Sequence, residues 1–306
     1  MNNTPQLTLP AFFAQTVSKH KLRYAMALVG ETHFTYDELD RKIRSLMRLL
    51  EELGFQPGDR AAILSTNMPN WAVSYYAITF MGGVAVPILP DCHQSEIETI
   101  LTHSEAVVLF ISDALVKKFG SLSVNHPLVK IRTEDLSILG GADPGLVYCP
   151  GATPSKEYPV SEHDLAAIIY TSGTMGKSKG VMLTHRNLCF TAVKSDRVQE
   201  ITEHDRFLSI LPLSHTYENT IGMILPMLKG ACIYYLGKPP TQSVLLPALK
   251  EVRPTIMLTV PLIIEKIFRN VIQPKFKSHF ILRQLIRIPL TRKIQNKAAG
   301  RKLLET

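Results

Sequence analysis

The sequence predicts an α/β protein, built as two stacked α/β lobes whose sheets are largely parallel. Three observations carry the prediction. Apolar strand-like runs alternate with helix-length segments through the first 111 residues, the pattern of βαβ units. A unit of the same order (strand, polar loop, apolar helix, glycine, strand) returns about 146 residues later. Between the two, residues 140–159 are rich in glycine, proline and polar side chains, as a loop or boundary would be. With 306 residues there is enough chain for two lobes with ordinary cores, expected at 1–160 and 161–306.

Taken in order, the first long helix opens at Thr35-Tyr36-Asp37-Glu38-Leu39. Leu39, Ile43, Leu46, Leu49 and Leu50 recur at helical spacing. Thr35 stands where an N-cap belongs, and Glu38 three residues later completes a capping box. Gly54 and Pro57-Gly58 stop the helix. A strand at 61–65, a helix at 70–80, a strand at 84–89, a helix at 95–103 and a strand at 106–111 follow. The run from Trp71 to Pro90 carries no charge and has a bilayer's length of residues. Gly82-Gly83 splits it into a helix-like half and a β-branched half, so a buried helix and a buried parallel strand explain it better.

The second unit repeats the first in detail. Asp59-Arg60-Ala61-Ala62-Ile63-Leu64 resembles Asp205-Arg206-Phe207-Leu208-Ser209-Ile210-Leu211, and Met81-Gly82-Gly83-Val84 has a counterpart in Leu228-Lys229-Gly230-Ala231. Convergence on one βαβ solution and a true duplication account for this equally well. Either implies two lobes.

Composition narrows the class. Hydrophobic residues make up 45% and mean hydropathy is near zero, which suits a globular protein and not a disordered or fibrous one. Cys92, Cys149, Cys189 and Cys232 are far apart, which argues against a zinc site or disulfide framework and suits a reducing cytoplasm. No basic start followed by an apolar core marks a secretory signal in the first thirty residues. The net charge of +8 is concentrated in 264–306, where eleven Lys or Arg face two Glu. There Phe280, Leu282, Leu285, Ile286 and Ile288 alternate with Arg283, Arg287, Arg292 and Lys293. An anionic membrane surface is one reading of that pattern, and a helix packing its apolar face on the protein is the other. With few aromatics and no reader motif, nucleic-acid binding is not expected.

The chemistry sits after the strand-like run Ala166-Ala167-Ile168-Ile169-Tyr170. Thr171-Ser172-Gly173-Thr174-Met175-Gly176-Lys177-Ser178-Lys179-Gly180 packs three glycines, four hydroxyls and two lysines into ten residues. Glycines let backbone N–H groups turn toward an anion, hydroxyls add donors or a metal ligand, and lysine neutralises charge. The bland alternative, a polar turn, is weakened by so dense a cluster at a strand end. A P-loop of the nucleotide triphosphatases must run straight into a helix. Here Lys179-Gly180-Val181-Met182-Leu183-Thr184 continues instead as a hairpin or strand, with the next helix expected near Asn187.

Residues 170–181 resemble the signature of the adenylate-forming enzymes, approximately Y-T-S-G-T-T-G-x-P-K-G-V, a superfamily of acyl-CoA synthetases, luciferases and peptide-synthetase adenylation domains. Met175 and Ser178 depart from the pattern, standing where threonine and proline are usual. Thr35–Leu39, Pro57-Gly58-Asp59-Arg60, 67–71, 83–87 and His185-Arg186-Asn187-Leu188 also resemble family segments. Leu211-Pro212-Leu213-Ser214-His215-Thr216-Tyr217-Glu218 and 254–266 are most similar to bacterial long-chain fatty-acid–CoA ligases. The resemblance implies the large N-terminal domain of such an enzyme, incomplete here, because the later glutamate, aspartate and lysine motifs do not occur before Thr306.

That likeness implies a reaction in two steps, carboxylate plus ATP to acyl-adenylate and pyrophosphate, then transfer of the acyl group to coenzyme A. By position it assigns Thr171, Ser172, Gly173, Thr174, Met175, Gly176 and Lys179 to nucleotide binding, Thr174 to magnesium and His215 to the carboxylate end of the acyl site. Tyr217 is placed to line or gate the acyl channel, and Glu218 either belongs with that motif or is a structural hydrogen-bonding partner. ATP, Mg2+, coenzyme A and a fatty acid are the implied ligands, and the 306 residues alone are expected to lack ligase activity. The expected location is the cytoplasm, with the inner membrane face as the alternative that the basic segment raises. Adenylation of another carboxylic acid, or a non-catalytic domain binding a nucleotide or partner, stand as the other readings.

Overall fold

The computed structural model describes residues 6–119, 122–171, 178–267 and 269. Its strands form two sheets. The larger has seven strands in the order β7-β6-β5-β3-β4-β8-β9, and the smaller four in the order β10-β11-β1-β2. In the larger sheet β3 (Arg60–Leu64), β4 (Val84–Pro87), β5 (Val108–Ile111), β6 (Val129–Arg132) and β8 (Leu165–Thr171) are parallel to their neighbours. Only the outer strands β7 (Ile138–Gly140) and β9 (Lys179–Thr184) run antiparallel. In the smaller sheet β1 (Tyr24–Leu28), β10 (Arg206–Ser209) and β11 (Cys232–Tyr235) are parallel, with β2 (Phe34–Thr35) antiparallel at the edge. The predicted parallel α/β architecture is thus the observed one.

Sheet membership does not follow the expected boundary between residues 160 and 161. β1 and β2 come from the start of the chain yet join the smaller sheet through β11, and β8 and β9 lie past the boundary yet complete the larger one. Alternation of strands and helices reveals βαβ units but not which sheet a distant strand completes.

Residue alternation along the strands explains the layers. Ala61, Ile63, Ala85, Val108 and Phe110 point into the main core, which also takes Ala25, Met26, Phe207 and Ile233 from the smaller sheet. Between the sheets lie α1 (Leu9–His20), α2 (Tyr36–Glu52) and α3 (Pro69–Phe80). Ala62, Leu64, Val86, Leu109 and Ile111 face outward under α4 (Gln94–Ser104) and α5 (Asp113–Phe119). On the far side of the smaller sheet, Leu208, Ile210 and Leu236 pack with α8 (Gln242–Val252). The order of layers is helix, sheet, helix, sheet, helix. Two further helices, α6 (His185–Ser195) and α7 (Leu225–Lys229), and a π-helical turn (Glu218–Ile224) belong to the inner layer, and α9 (Pro261–Ile267) ends the described chain.

The uncharged run is a buried helix and strand, as its glycine pair indicates. All twelve residues of α3 are buried, and β4 is buried along its length. Among the described residues no helix is long and apolar enough to cross a membrane. α2 begins with the capping box read from the sequence: the Thr35 hydroxyl accepts from Glu38 N–H at 3.2 Å, and the Glu38 carboxylate accepts from Thr35 N–H at 2.8 Å. Residues 141–164 form a strap back across α2. Ser45 Oγ accepts from Gly151 N–H, and Glu51 accepts from the Ser155 N–H and hydroxyl and the Tyr158 hydroxyl. Burial pushes the Glu51 carboxyl up, but those donors together with Arg48 outweigh it and hold the group at about 2.

The internal repeat is structural. Asp59 accepts from Gln56 N–H and Asp205 from Thr202 N–H, at 2.8 and 2.7 Å. Their carbonyls receive Val84 N–H and Cys232 N–H, opening β4 and β11. Arg60 donates to the carbonyls of Ser104 and Glu105, and Arg206 to those of Val252 and Arg253. Each guanidinium therefore closes the carboxyl end of the crossover helix, α4 or α8, where Glu105 and Arg253 adopt the left-handed conformation (φ 51° and 46°). Gly82 and Gly230 occupy matching turns with φ of 71° and 77°, a region glycine enters freely. One difference separates the units: where the first has a straight α-helix, the second has the π-turn and the short α7.

The side chain of His185, at the start of α6, is fully buried, and its Nδ1 accepts from Leu9 N–H at 3.3 Å, fastening α1. Burial lowers its pKa to about 4, against a small opposing pull from Asp164. The neutral ring is the folded form, so its contribution is present above the ordinary value of 6.5 and is lost as pH falls through about 4. A chemical-denaturation series across that window is expected to show a loss on the order of 3 kcal/mol at most, flattened in His185→Asn. In the same assay at neutral pH, Arg60→Ala and Arg206→Ala should each cost about 1–2 kcal/mol. Their effects should add in the double variant, since the two caps share no partner.

Candidate active site

β8 carries the chain to the carboxyl edge of the larger sheet. There α3 leaves β3 toward the inner layer, whereas α4 leaves β4 toward the outer one, so the chain diverges between adjacent parallel strands. Crevices of this kind are where open α/β sheets hold ligands. The polar cluster springs from β8, the strand beside β4, at this edge. Ser172, Gly173, Thr174, Met175, Gly176 and Lys177 lie outside the described residues, and with them the expected magnesium contact at Thr174 and five of the seven residues expected to bind nucleotide.

The two ends of that segment are in place. β8 and β9 form an antiparallel hairpin in which Thr171 faces Lys179 and Tyr170 faces Gly180. The continuation is thus a strand, and α6 begins only at His185, capped by Thr184 and Asn187. This hairpin excludes the P-loop arrangement. Thr171 and Lys179, expected to serve one ligand, are brought together at its loop end, and both are exposed. Gly180 is required by packing: a Cβ there would come within 2.8 Å of the Ile168 Cγ2.

Both flanks are tied to α4. The Tyr170 hydroxyl lies 2.6 Å from His103 Nδ1, and Ser178 Oγ donates to Glu96 Oε1 at 2.7 Å. Burial raises the Tyr170 pKa, keeping the hydroxyl protonated. Ser178, which departs from the signature's proline, uses its hydroxyl for this strut. Glu96 and His103 were not legible as site neighbours, because 82 and 67 residues separate them from their partners.

The second group stands at the carboxyl edge of the smaller sheet. Asn67, just past β3, donates through Nδ2 to Ser209 Oγ at 3.1 Å and to the Leu211 carbonyl at 2.6 Å, while its Oδ1 accepts from Leu213 N–H at 3.0 Å. One side-chain amide thus binds the carboxyl edges of both sheets to each other. Beyond it, Ser214 is buried, His215, Thr216 and Tyr217 are exposed, and Glu218 is buried again. His215 forms a tip with Tyr217, which is 49% exposed. Glu218 is 1% exposed, and burial raises its pKa to about 8 against a smaller opposing effect from the Ser209 hydroxyl. The neutral acid is therefore its resting form at pH 7.

Oxygen donors surround the loop's ends: the Thr171 and Ser178 hydroxyls and the Glu96 carboxylate. Among the described residues no three His, Cys, Asp or Glu side chains gather to hold a metal ion. That set fits a magnesium ion carried in largely by phosphates and waters, not one caged by protein. Residues 268 and 270–306, most of the basic segment, lie outside the described residues, so neither of its two readings is addressed by the fold.

The family model for AMP-binding enzymes matches residues 13–294. The chain belongs to the AMP-binding enzyme family. Among its relatives, long-chain-fatty-acid–CoA ligase FadD15 of Mycobacterium bovis is 32% identical over 251 residues, covering 78% of this chain and 40% of that protein. Long-chain-fatty-acid–CoA ligase heimdall of Drosophila melanogaster is 24% identical over 310 residues, covering 92% and 45%. The chain thus spans less than half the length of the curated relatives it matches. A benzoate CoA ligase from Burkholderia xenovorans shares the fold with a TM-score of 0.75 at 23% identity, over 86% of this chain and 52% of that one. The O-succinylbenzoate coenzyme A synthetase of Bacillus subtilis, solved in complex with AMP, gives 0.72 at 23%, over 85% and 64%. The fold of this member of the AMP-binding enzyme family is therefore the one these solved ligases share.

The struts can be tested singly. Tyr170→Phe removes only the hydroxyl facing His103, and Glu96→Ala removes the acceptor for Ser178 together with a contact to the Cys92 thiol. Each is expected to cost about 1 kcal/mol. That corresponds to a fall of about 2–4 °C in a thermal melt.

Proposed function

We propose that the chain is the adenylating portion of an acid–thiol ligase that activates long-chain fatty acids. The observation that carries this is the hairpin at the carboxyl edge, which sets Thr171 and Lys179 opposite one another at the two ends of a glycine- and hydroxyl-rich segment. A fatty acid is favoured as substrate because several relatives bear that name.

In the proposed reaction a carboxylate oxygen bonds to the α-phosphorus of ATP, the bond from that phosphorus to the bridging oxygen breaks, and pyrophosphate leaves. The coenzyme A thiol, losing its proton, then bonds to the acyl carbon and AMP departs. The first step brings two anions together, so its barrier is set by charge and alignment. Lys179 is assigned to the polyphosphate charge, and Thr171, Ser172, Gly173, Thr174, Met175 and Gly176 to cradling the β- and γ-phosphates. Magnesium, with Thr174 as its protein contact, would neutralise charge on the phosphates. His215 is assigned to the carboxylate end of the acid, where the neutral stretch around it leaves the imidazole free to donate or accept. Strut residues Glu96 and His103 hold the hairpin ends in register.

A second reading rests on relatives named feruloyl-CoA synthase, 29% identical over 251 residues. It makes the acid aromatic. Pyrophosphate release with ATP, magnesium and a panel of acids separates the two, measured on the 306-residue chain and on the protein extended to its relatives' length. Release by the longer form should peak with long-chain acids, and Lys179→Ala should lower it by two orders of magnitude or more. Peak release with aromatic acids would replace the substrate class. No release with any acid from folded protein of either length would leave a nucleotide-binding domain instead.

A further inference from the structure

The carboxyl of Glu218 belongs to no step of that reaction, yet it is among the most deeply enclosed acids of the described chain. It heads the π-helical turn and lies directly over Gly222, where a Cβ would fall 2.7 Å from its carboxyl carbon. A widened turn with glycine four residues on leaves room for an acid to fold back on its own backbone, and π-turns often mark functional positions. Immediately before it stand the exposed His215, Thr216 and Tyr217, and Asn219 N–H donates to the His215 carbonyl at 2.9 Å. The tip and the buried acid are thus one continuous piece of backbone.

We propose that Glu218 is a positioning residue, whose enclosed carboxylic acid clamps the π-turn and thereby holds the His215–Tyr217 tip. The assignment of that tip to the acyl site rests on the ligase reading above, but the clamp does not. Every element packed on the turn leaves the acid without a cation. β10 offers the Ser209 hydroxyl, and its Arg206 is committed to the end of α8. β11 offers the Tyr235 hydroxyl, itself held protonated by burial. α3 brings Tyr75 beside Asn219, α6 brings His185 and Cys189, both held neutral by burial, and Lys229 of α7 is paired with Asp196 at 2.8 Å. Folded, the acid titrates at about 8 instead of its ordinary 4.5, so the clamp is strongest below 4.5, weakens as pH rises above that and is lost by about 8, because an ionised carboxylate there has no counter-charge.

Amide hydrogen exchange over residues 211–224 of the 306-residue chain tests this, with rates scaled to those of the unfolded peptide. Between pH 6.5 and 9.0 protection of this segment should fall about thirtyfold, nearly all of it below pH 8.5, while 61–64 in β3 holds. Glu218→Gln, neutral at every pH, should remove the fall. Gly222→Ala should already show reduced protection at pH 6.5, by displacing the carboxyl. An equal fall in Glu218→Gln, or none in the wild type, would overturn the proposal. Should Glu218→Gln not fold, the wild-type comparison with β3 and the Gly222→Ala result decide it. In the pyrophosphate assay, Glu218→Ala should raise KM for the acid severalfold and leave KM for ATP unchanged, with Glu218→Gln restoring it. Unchanged KM for the acid in Glu218→Ala would overturn the tip's role. Absence of any wild-type release would sink the ligase reading and leave the exchange result standing.

Discussion

A helix with no exposed residue requires packing partners on every side of it. α3 is such a helix: twelve residues from Pro69 to Phe80, all buried, with Trp71, Tyr75 and Tyr76 among the largest enclosed side chains of the protein. Its burial removes several hundred square ångströms of aromatic surface from water, at about 25 cal/mol per Å2, and neither sheet could provide that alone. β1 of the smaller sheet and β3 and β4 of the larger one close over α3, and α1 and α2 complete the enclosure. The candidate site is a by-product of this arrangement. Once two parallel sheets share one inner helical layer, their carboxyl edges lie side by side, and Asn67 joins them.

Much of the fold could be read from residues close together in the chain. The capping box of Thr35 and Glu38, the glycine division after Phe80 and the hairpin after Tyr170 are local, and each involves residues within a few positions of one another. The β–α–β repeat was visible for the same reason, as two copies of Asp-Arg followed by an apolar run and a glycine. What the repeat did not disclose is the use of its arginines. Arg60 and Arg206 act on helix ends more than forty residues away, across a crossover whose length says nothing about where its end returns.

The site was legible to the same extent. Its chemistry was concentrated in ten consecutive residues, so the segment, the strand before it and the strand after it could be named. The side chains that steady it could not. Glu96 and His103 sit on a helix with no marking of their own, and Asn67 opens a segment whose resemblance says nothing of its partners; only the sheet order brings them to Ser178, Tyr170 and Leu211. Glu218 was a still harder case. Its neighbours His215 and Tyr217 made it look like part of one polar motif, whereas the backbone turns the tip outward and the acid inward, over a glycine that reads as an ordinary helix residue.

β9 is an edge strand of the larger sheet, bonded on one side only among the described residues. A change at its base is therefore absorbed by a single neighbour and does not travel through the parallel strands. Proline at position 178 would fix the backbone there by its own ring, whereas serine leaves that job to a hydroxyl and to an acid on α4. At position 178 the backbone is thus held by one side-chain hydrogen bond and not by a ring. Such a pair makes two distant positions one unit: losing either Ser178 or Glu96 releases the other.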